Sequence, residues 1–364
     1  MGAKVYLHIG VPKTGTTYLQ DRLFLNRTEL ARHGVKYPVG ARESMFFPAI
    51  DLTGIKWPGF HEKARGEWDA LVRRTRLASG TVVISHEILA AAPPERIARL
   101  ADDFAGAEVH VVISARDVAR QLAADWQEGL KMYGTKTFGR YLDEVVAEDP
   151  ATSRRWFWRA QHLPRVLGNW AGIAPPERTH LLVLPRSGAD LWSSFCGLIG
   201  AFPDWAPRES PRRNPSLGRA EATLLRKLNK RLREAGVGRA DYRRAVLNPI
   251  VYDVLSTRSG REPVVIPPRL HGWADDLAQQ WAGEITRSGI DVVGDLADLR
   301  PKPPAGEWLD PDHPRPGKVN AAAVDALAGA VAAFCALPDP SSRLDRRAAR
   351  ALLRLARRPA GRPD

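Results

Sequence analysis

The stretch Val5-Tyr6-Leu7-His8-Ile9-Gly10-Val11-Pro12-Lys13-Thr14-Gly15-Thr16-Thr17 decides the fold. Residues 5–9 predict a short buried strand, residues 10–15 a tight loop, and the residues from Thr16 onward a helix that ends near Gly34. A strand–loop–helix unit directs backbone N–H groups and a helix N-terminus at one point, where a phosphate group binds well. The stretch therefore predicts a phosphate-binding loop.

Three further apolar runs extend this pattern along the chain. They lie at 81–85, 109–114 and 180–184, and helical patterns separate them. Strands that are apolar throughout and alternate with helices are typical of a parallel sheet covered on both faces. We therefore expect an α/β fold, a P-loop-type parallel β-sheet flanked by helices, with helical additions in the C-terminal half. Residues 38–60 are rich in Pro, Gly and aromatic residues and predict a loop or lid, and residues 156–170 predict one helix.

The chain divides into three predicted parts. Residues 1–257 form the α/β domain, residues 258–342 a helical and proline-rich extension packed on it, and residues 343–364 a basic C-terminal tail. Within the extension, Ala321 to Leu337 predicts a packed helix. The tail has the pattern of a basic amphipathic helix, with leucines among its arginines. Two roles fit the tail: peripheral contact with an anionic membrane, or a solvated or docked terminal helix, which we prefer.

Composition narrows the class of protein. The chain has 364 residues, a formal net charge of +13 and two cysteines, Cys196 and Cys335, which predict buried thiols in a reducing compartment. No apolar leader precedes the first strand, so we expect a cytoplasmic protein. The charge fits nucleic acid, an anionic small molecule or a membrane surface. Without a zinc-finger spacing or an aromatic–basic RNA-binding signature, nucleic acid is the weaker interpretation.

The loop differs from that of nucleotide triphosphatases, G-x-x-x-x-G-K-[ST]. Gly10, Gly15 and Thr17 match that motif, but position 16 is Thr where the motif has Lys. The lysine stands instead inside the loop, at Lys13. An ATPase or kinase of the usual type is therefore disfavoured.

This arrangement resembles the PAPS-dependent sulfotransferase family, whose 5′-phosphosulfate loop reads P-K-[ST]-G-[ST]-[ST]; PAPS is 3′-phosphoadenosine 5′-phosphosulfate. Residues 12–17 match that pattern at every position. The resemblance implies that Lys13 stabilises the bridging oxygen as the bond to sulfur breaks. It also implies that the phosphosulfate binds to Gly10, Pro12, Lys13, Thr14, Gly15, Thr16 and Thr17.

The run Val111-Val112-Ile113-Ser114-Ala115-Arg116-Asp117 looks like the family's 3′-phosphate region, a strand ending in Arg. Arg116 is then expected to bind the 3′-phosphate through its two-pronged guanidinium. The chain departs from the family at Ala124, where a phosphate-binding Ser is usual. A replacement contact is expected from Arg120, Gln121 or the loop at Arg212-Arg213. The alternative for Arg116-Asp117 is a strand-end salt bridge and helix cap.

Sulfuryl transfer to an alcohol needs a group that takes the hydroxyl proton. The resemblance places a His or Glu near the end of the second predicted strand, where Ser85-His86-Glu87 stand in this chain. Successive residues of an extended chain point to opposite sides, so one of the two faces the acceptor. We prefer His86 narrowly because its ordinary pKa lies near neutrality. The alternative is that Glu87 caps the next helix and His86 is a polar neighbour.

The expected function is sulfuryl transfer from PAPS, the co-substrate, to a hydroxyl of a carbohydrate, glycolipid or small metabolite. No cluster has metal-ligand spacing, and we expect no metal. Two alternatives remain open: an atypical P-loop kinase, and a non-catalytic nucleotide-binding protein of the same fold.

Overall fold

The predicted apolar strands pair side by side in one sheet. The structure, a computed structural model, describes residues 2–40, 43–56, 59–186, 190–210, 216–302 and 306–336. The strands are β1 (Lys4–His8), β2 (Val35–Lys36), β3 (Thr81–Ser85), β4 (Glu108–Ala115), β5 (Thr179–Val183) and β6 (Asp291–Val293). Their order is β2-β3-β1-β4-β5-β6, and every neighbouring pair is parallel. The predicted α/β class with a parallel sheet is confirmed.

Helices flank this sheet along the whole described chain. The α-helices are α1 (Thr16–Leu25), α2 (Arg27–Arg32), α3 (Phe46–Thr53), α4 (His61–Ala64), α5 (Glu67–Arg76), α6 (Pro94–Ile97), α7 (Leu100–Asp103), α8 (Val118–Lys131), α9 (Phe138–Val146), α10 (Trp156–Gln161), α11 (Leu163–Trp170), α12 (Leu191–Ile199), α13 (Arg219–Glu234), α14 (Arg239–Tyr242), α15 (His271–Ser288) and α16 (Pro316–Cys335). Short 3₁₀ helices span Glu87–Ala91, Pro176–Arg178, Pro203–Trp205, Pro268–Leu270 and Leu296–Leu299, and a π-helix spans Arg243–Leu255.

The carboxyl ends of three neighbouring strands lie together at the centre of the sheet. β1 lies between β3 and β4, and its register pairs His8 with Ser85 of β3 and with Val112 of β4. β3 and β4, which follow each other in the chain, therefore lie on opposite sides of β1. In open parallel sheets, ligands bind at such a reversal of strand order, beyond the carboxyl ends of the strands. The loop after β1 occupies this position.

Two local predictions are wrong in part. Residues 38–60 are not all loop, because they contain α3, whose Ala49, Ile50 and Leu52 are buried. The single helix predicted over 156–170 is two helices, because His162 adopts an extended conformation between α10 and α11. Pro164 lies in the first turn of α11, where its missing N–H costs no helical hydrogen bond.

The segment predicted as an extension contributes to the sheet. β6 lies within residues 258–342 and pairs with β5, with His180 opposite Asp291. The basic tail at 343–364 lies outside the described residues. The sheet therefore continues past the predicted boundary at residue 257.

Helix α16 is less packed than its apolar sequence suggests. It is the one helix in the described ranges that is long and apolar enough to cross a membrane, and 11% of its apolar window is buried. A single helix of this kind is weak evidence for a span. Its exposed side carries Val324, Leu327, Val331 and Phe334. Cys335 at its end is exposed, whereas Cys196 is buried, so only one of the two predicted buried thiols is confirmed.

Candidate functional site

The loop between β1 and α1 contains two residues in the left-handed backbone conformation. Lys13 has φ 70° and Gly15 has φ 80°, both in the left-handed region. Lys13 is one of two non-glycine residues with positive φ in the described ranges, and strained residues of this kind concentrate at binding sites. Gly15 precedes α1, and no side chain caps the first N–H groups of that helix. These N–H groups remain available to an anion.

A buried chain of hydrogen bonds ties this loop to three strands. His8 contacts Ser85 through Nδ1 at 2.8 Å and Ser114 through Nε2 at 3.1 Å. Ser114 in turn contacts Thr14 at 2.8 Å, and the Thr14 hydroxyl donates to the Val11 carbonyl at 2.6 Å. Burial lowers the pKa of His8 to about 4, so its imidazole is neutral at pH 7. The chain fixes the loop on the strand ends without bringing a charge into the core.

Gly10 is required where the loop leaves β1. A Cβ at this position would clash with the Ser114 hydroxyl and lie 2.7 Å from His8 Nε2. We expect Gly10→Ala to lower the free energy of unfolding by about 1–3 kcal/mol, because the added methyl overpacks this buried cluster. Chemical denaturation measures the effect. The matched control is Gly168→Ala in α11, where a Cβ meets no atom within 4 Å; equal stability of the two variants would contradict the packing argument.

Lys13 is held by an ion pair with α8. Its Nζ lies 2.6 Å from Glu128 Oε2, and both side chains are about a quarter exposed. Lys131, one turn further on α8, lies 3.9 Å from the same carboxylate oxygen. Burial lowers the pKa of Lys131 to about 8. Glu128 was not predicted as a partner of Lys13, because only the fold brings these residues together.

Arg116 lies beyond the end of β4, beside the loop. Its Nε donates to Gln121 Oε1 at 2.8 Å and its Nη2 to the Arg120 carbonyl at 3.2 Å. No carboxylate of the described residues lies within ion-pair distance of it. Burial first, and the nearby Arg120 second, lower the pKa of Arg116 to about 10, so it stays cationic at pH 7. A half-buried cation without a counterion is suited to bind an anionic ligand.

The neighbours of Arg116 have structural roles of their own. Asp117 caps α8 by accepting from the Arg120 N–H at 2.9 Å, and it pairs with the Arg120 side chain. The strand-end salt bridge therefore involves Arg120 and leaves Arg116 free of it. Gln121 and Gln161 both donate to the Pro12 carbonyl, at 2.9 and 3.0 Å. Gln121 thus links Arg116 to the loop.

The remaining predicted binding residues are Thr16 and Thr17 at the start of α1, and Arg212 and Arg213 in a later segment. The Thr16 hydroxyl is buried and has no hydrogen-bond partner among the described residues. A buried polar atom without a partner is costly, and a ligand oxygen at this position would satisfy it. Thr17 is partly buried in the first turn of α1. Arg212 and Arg213 lie outside the described residues.

His86 and Glu87 lie at the end of β3 with different surroundings. His86 Nδ1 accepts from the Ile88 N–H at 3.2 Å and caps the 3₁₀ helix that begins at Glu87. The cap is therefore His86 rather than Glu87. Burial lowers the pKa of His86. In a neutral ring whose Nδ1 accepts, the proton is on Nε2, so Nε2 is a donor.

Glu87 is the more accessible of the two side chains. Its Oε2 accepts from Gln20 Nε2 at 3.1 Å and lies 3.7 Å from His86 Nδ1. Burial acts to raise the pKa of Glu87, but His86, the hydrogen bond from Gln20 and the charge of Lys13 outweigh it and hold the pKa below its usual range. Glu87 is therefore a carboxylate at neutral pH within the electrostatic reach of Lys13.

The described part of the chain contains no group of three or more His, Cys, Asp or Glu side chains placed to hold a metal ion. Comparison of the chain with protein-family models finds no match, and comparison with curated proteins finds no similar protein.

Proposed function

We propose that the chain transfers a sulfuryl group from PAPS to a hydroxyl. The observation that carries the proposal is the placement of two cations at neighbouring strand ends: Lys13 on the loop after β1, and Arg116, without a carboxylate partner among the described residues, after β4. Two cationic groups at this edge fit a nucleotide with anionic groups at both its 5′ and 3′ positions. The uncapped start of α1 and the unpartnered Thr16 hydroxyl supply further donors for the 5′ end.

The chemistry depends on the charges around Lys13. The bound co-substrate supplies an activated sulfuryl group: sulfur forms a bond to the acceptor oxygen, its bond to the 5′-phosphate oxygen breaks, and the electron pair stays on that phosphate. Glu87 takes the proton of the acceptor hydroxyl. Lys13 and the loop N–H groups stabilise the charge that develops on the phosphate. Arg116 holds the 3′-phosphate and thereby fixes the position of the nucleotide.

We expect adenosine 3′,5′-bisphosphate to bind at least about tenfold more tightly than 5′-AMP, since a hydrogen-bonded charge contact at Arg116 contributes about 1.5–3 kcal/mol. Isothermal calorimetry of both nucleotides measures the ratio. Arg116→Ala should remove the difference and Arg116→Lys should restore part of it, because lysine keeps the charge without the planar fork. Equal affinities of the wild-type protein for both nucleotides would contradict the proposal.

A further inference from the structure

A cavity of about 290 Å³ opens between α8, α9 and α10. α8 contributes Asp125 and Gly129 to its lining, α9 contributes Tyr141, and α10 contributes Trp156. Asp125 lies three residues before Glu128, the partner of Lys13, so the two carboxylates are neighbours on one face of α8. Burial raises the pKa of Asp125, and the hydrogen bond from Tyr141 and the nearby charge of Lys13 offset part of this rise. The cavity is therefore adjacent to the group that faces the phosphosulfate in the proposed function.

Asp125 supplies one free acceptor atom. Its Oδ2 accepts from the Tyr141 hydroxyl at 2.8 Å. Its Oδ1 has no hydrogen-bond partner among the described residues. Because the Oδ1 atom is not enclosed, a ligand hydroxyl in the cavity can donate to it.

Trp156 is the exposed member of an aromatic run. Its side chain is 36% exposed, whereas the adjacent Phe157 and Trp158 are 2% and 0% exposed and pack in the core. Of these three aromatic residues of α10, two therefore pack in the core and one, Trp156, remains available to a ligand. An exposed indole beside a carboxylate suits a ligand that is apolar on one face and hydroxylated at its edges.

The charges on the cavity wall favour a neutral ligand. Lys136 and Arg155 both line it, and each pairs with Glu144; Arg155 also pairs with Glu148 at 2.6 Å. Their positive charge is compensated, so they attract a further anion only weakly, and Asp125 repels one. Lys13 lies close enough to act on Asp125 electrostatically, and its positive charge offsets the attraction of Asp125 for an ammonium ligand.

We propose that this cavity binds the acceptor, and that the acceptor is a neutral, ring-shaped polyol such as a hexopyranoside. Asp125 accepts a hydrogen bond from one ring hydroxyl, and Trp156 packs against the ring. A further hydroxyl is then presented toward Lys13. The role as acceptor rests on the proposed function; the binding of the polyol does not.

Saturation-transfer NMR with methyl α-glucopyranoside at millimolar concentration, without nucleotide, tests the site directly. We expect transfer to the ring protons, and a weaker or absent signal with choline and with cyclohexanol. Asp125→Asn keeps the shape and the contact with Tyr141, and it should weaken glycoside binding at least about tenfold, because a hydrogen bond to a charged group is lost. Comparable binding of choline or cyclohexanol would overturn the assignment of ligand class.

A cavity-filling pair of variants tests the location. Gly129 lines the cavity within α8, and a Cβ there meets no atom within 4 Å, so the backbone accepts a side chain and Gly129→Leu fills part of the cavity. Gly283→Leu in α15 is the matched control, with equally open space. We expect only Gly129→Leu to abolish glycoside binding, with unchanged melting temperature in both variants. Glycoside binding that survives Gly129→Leu would place the site elsewhere.

The nucleotide experiment separates the two proposals. If the glycoside binds in the cavity while adenosine 3′,5′-bisphosphate and 5′-AMP bind equally, the polyol site stands and sulfuryl transfer is wrong. If the bisphosphate is preferred while neither Asp125→Asn nor Gly129→Leu changes the KM for the polyol acceptor, the nucleotide site stands and the cavity is not the acceptor site.

Discussion

Replacing Lys13 by alanine should lower turnover with PAPS on the order of a thousandfold, because a preorganised group that stabilises developing charge contributes this much in other enzymes. The side chain is not part of the core: about a quarter of it is exposed, and its Nζ meets only the carboxylate of Glu128 among described ion-pair partners. A partly exposed ion pair of this kind contributes at most about 1 kcal/mol to stability. The melting temperature should therefore change little. A single-turnover assay with saturating PAPS, beside a thermal melt, measures both.

Two control variants make the Lys13 result specific. Lys230→Ala removes an exposed lysine that pairs with Glu234 at 4.0 Å on α13, and it should leave turnover unchanged. Glu128→Gln removes the carboxylate that holds Lys13 in the structure. Because a bound phosphate must compete with Glu128 for Lys13, this variant should bind adenosine 3′,5′-bisphosphate at least as tightly as the wild type. Full activity of Lys13→Ala would exclude the proposed loop chemistry.

The core of the sheet is predictable from sequence because its signal is local. β1, β3, β4 and β5 are buried on both faces, so each is an almost continuous apolar run. β2 has two residues and β6 three, and β6 is partly exposed. Such short edge strands carry no periodic pattern. They exist because a neighbouring strand offers its hydrogen bonds, which the sequence does not show.

The π-helix Arg243–Leu255 is missing from the prediction for a different reason. Pro249 lies inside it, and a proline inside a helical pattern argues against a helix because it has no N–H to donate. Tertiary packing holds the segment together nonetheless. Val251 and Leu255 are fully buried, and α16 packs closely against the segment at Gly329, where a Cβ would clash with Val254.

The residues of the candidate site also divide into those that a local sequence motif predicts and those that only the fold brings together. Lys13, Arg116 and Glu87 were predicted because each stands in or just after a strand-end motif. His8 and Ser114 were not assigned roles, although both are polar residues inside apolar strands. Their hydrogen bond joins residues 106 positions apart. Glu128 is 115 positions from Lys13. A polar residue within a buried strand is the signal that sequence reasoning can use; its partner depends on the register of the sheet.

Glu87→Gln should lower kcat on the order of a hundredfold or more while nucleotide affinity stays nearly unchanged. His86 was the preferred base on sequence grounds, but the hydrogen bond from Ile88 occupies Nδ1 of His86 and leaves its Nε2 as a donor. Glu87 is the ionised neighbour, and glutamine at this position can still accept from Gln20. The loss therefore reports on proton transfer rather than on the fold. A single-turnover assay and calorimetry with adenosine 3′,5′-bisphosphate separate the two quantities.

His86→Asn is the matched control, because an asparagine side chain can cap the 3₁₀ helix in place of the imidazole. We expect its kcat to stay within a few-fold of the wild type. The pH profile adds an independent test. Glu87 acts as a base only when it is ionised, and its pKa lies below the usual range, so kcat/KM should be flat near neutrality and fall only on strong acidification. Circular dichroism at each pH confirms that the protein remains folded. An acid limb in the ordinary range of a histidine, lost in His86→Asn and retained in Glu87→Gln, would show that His86 is the base.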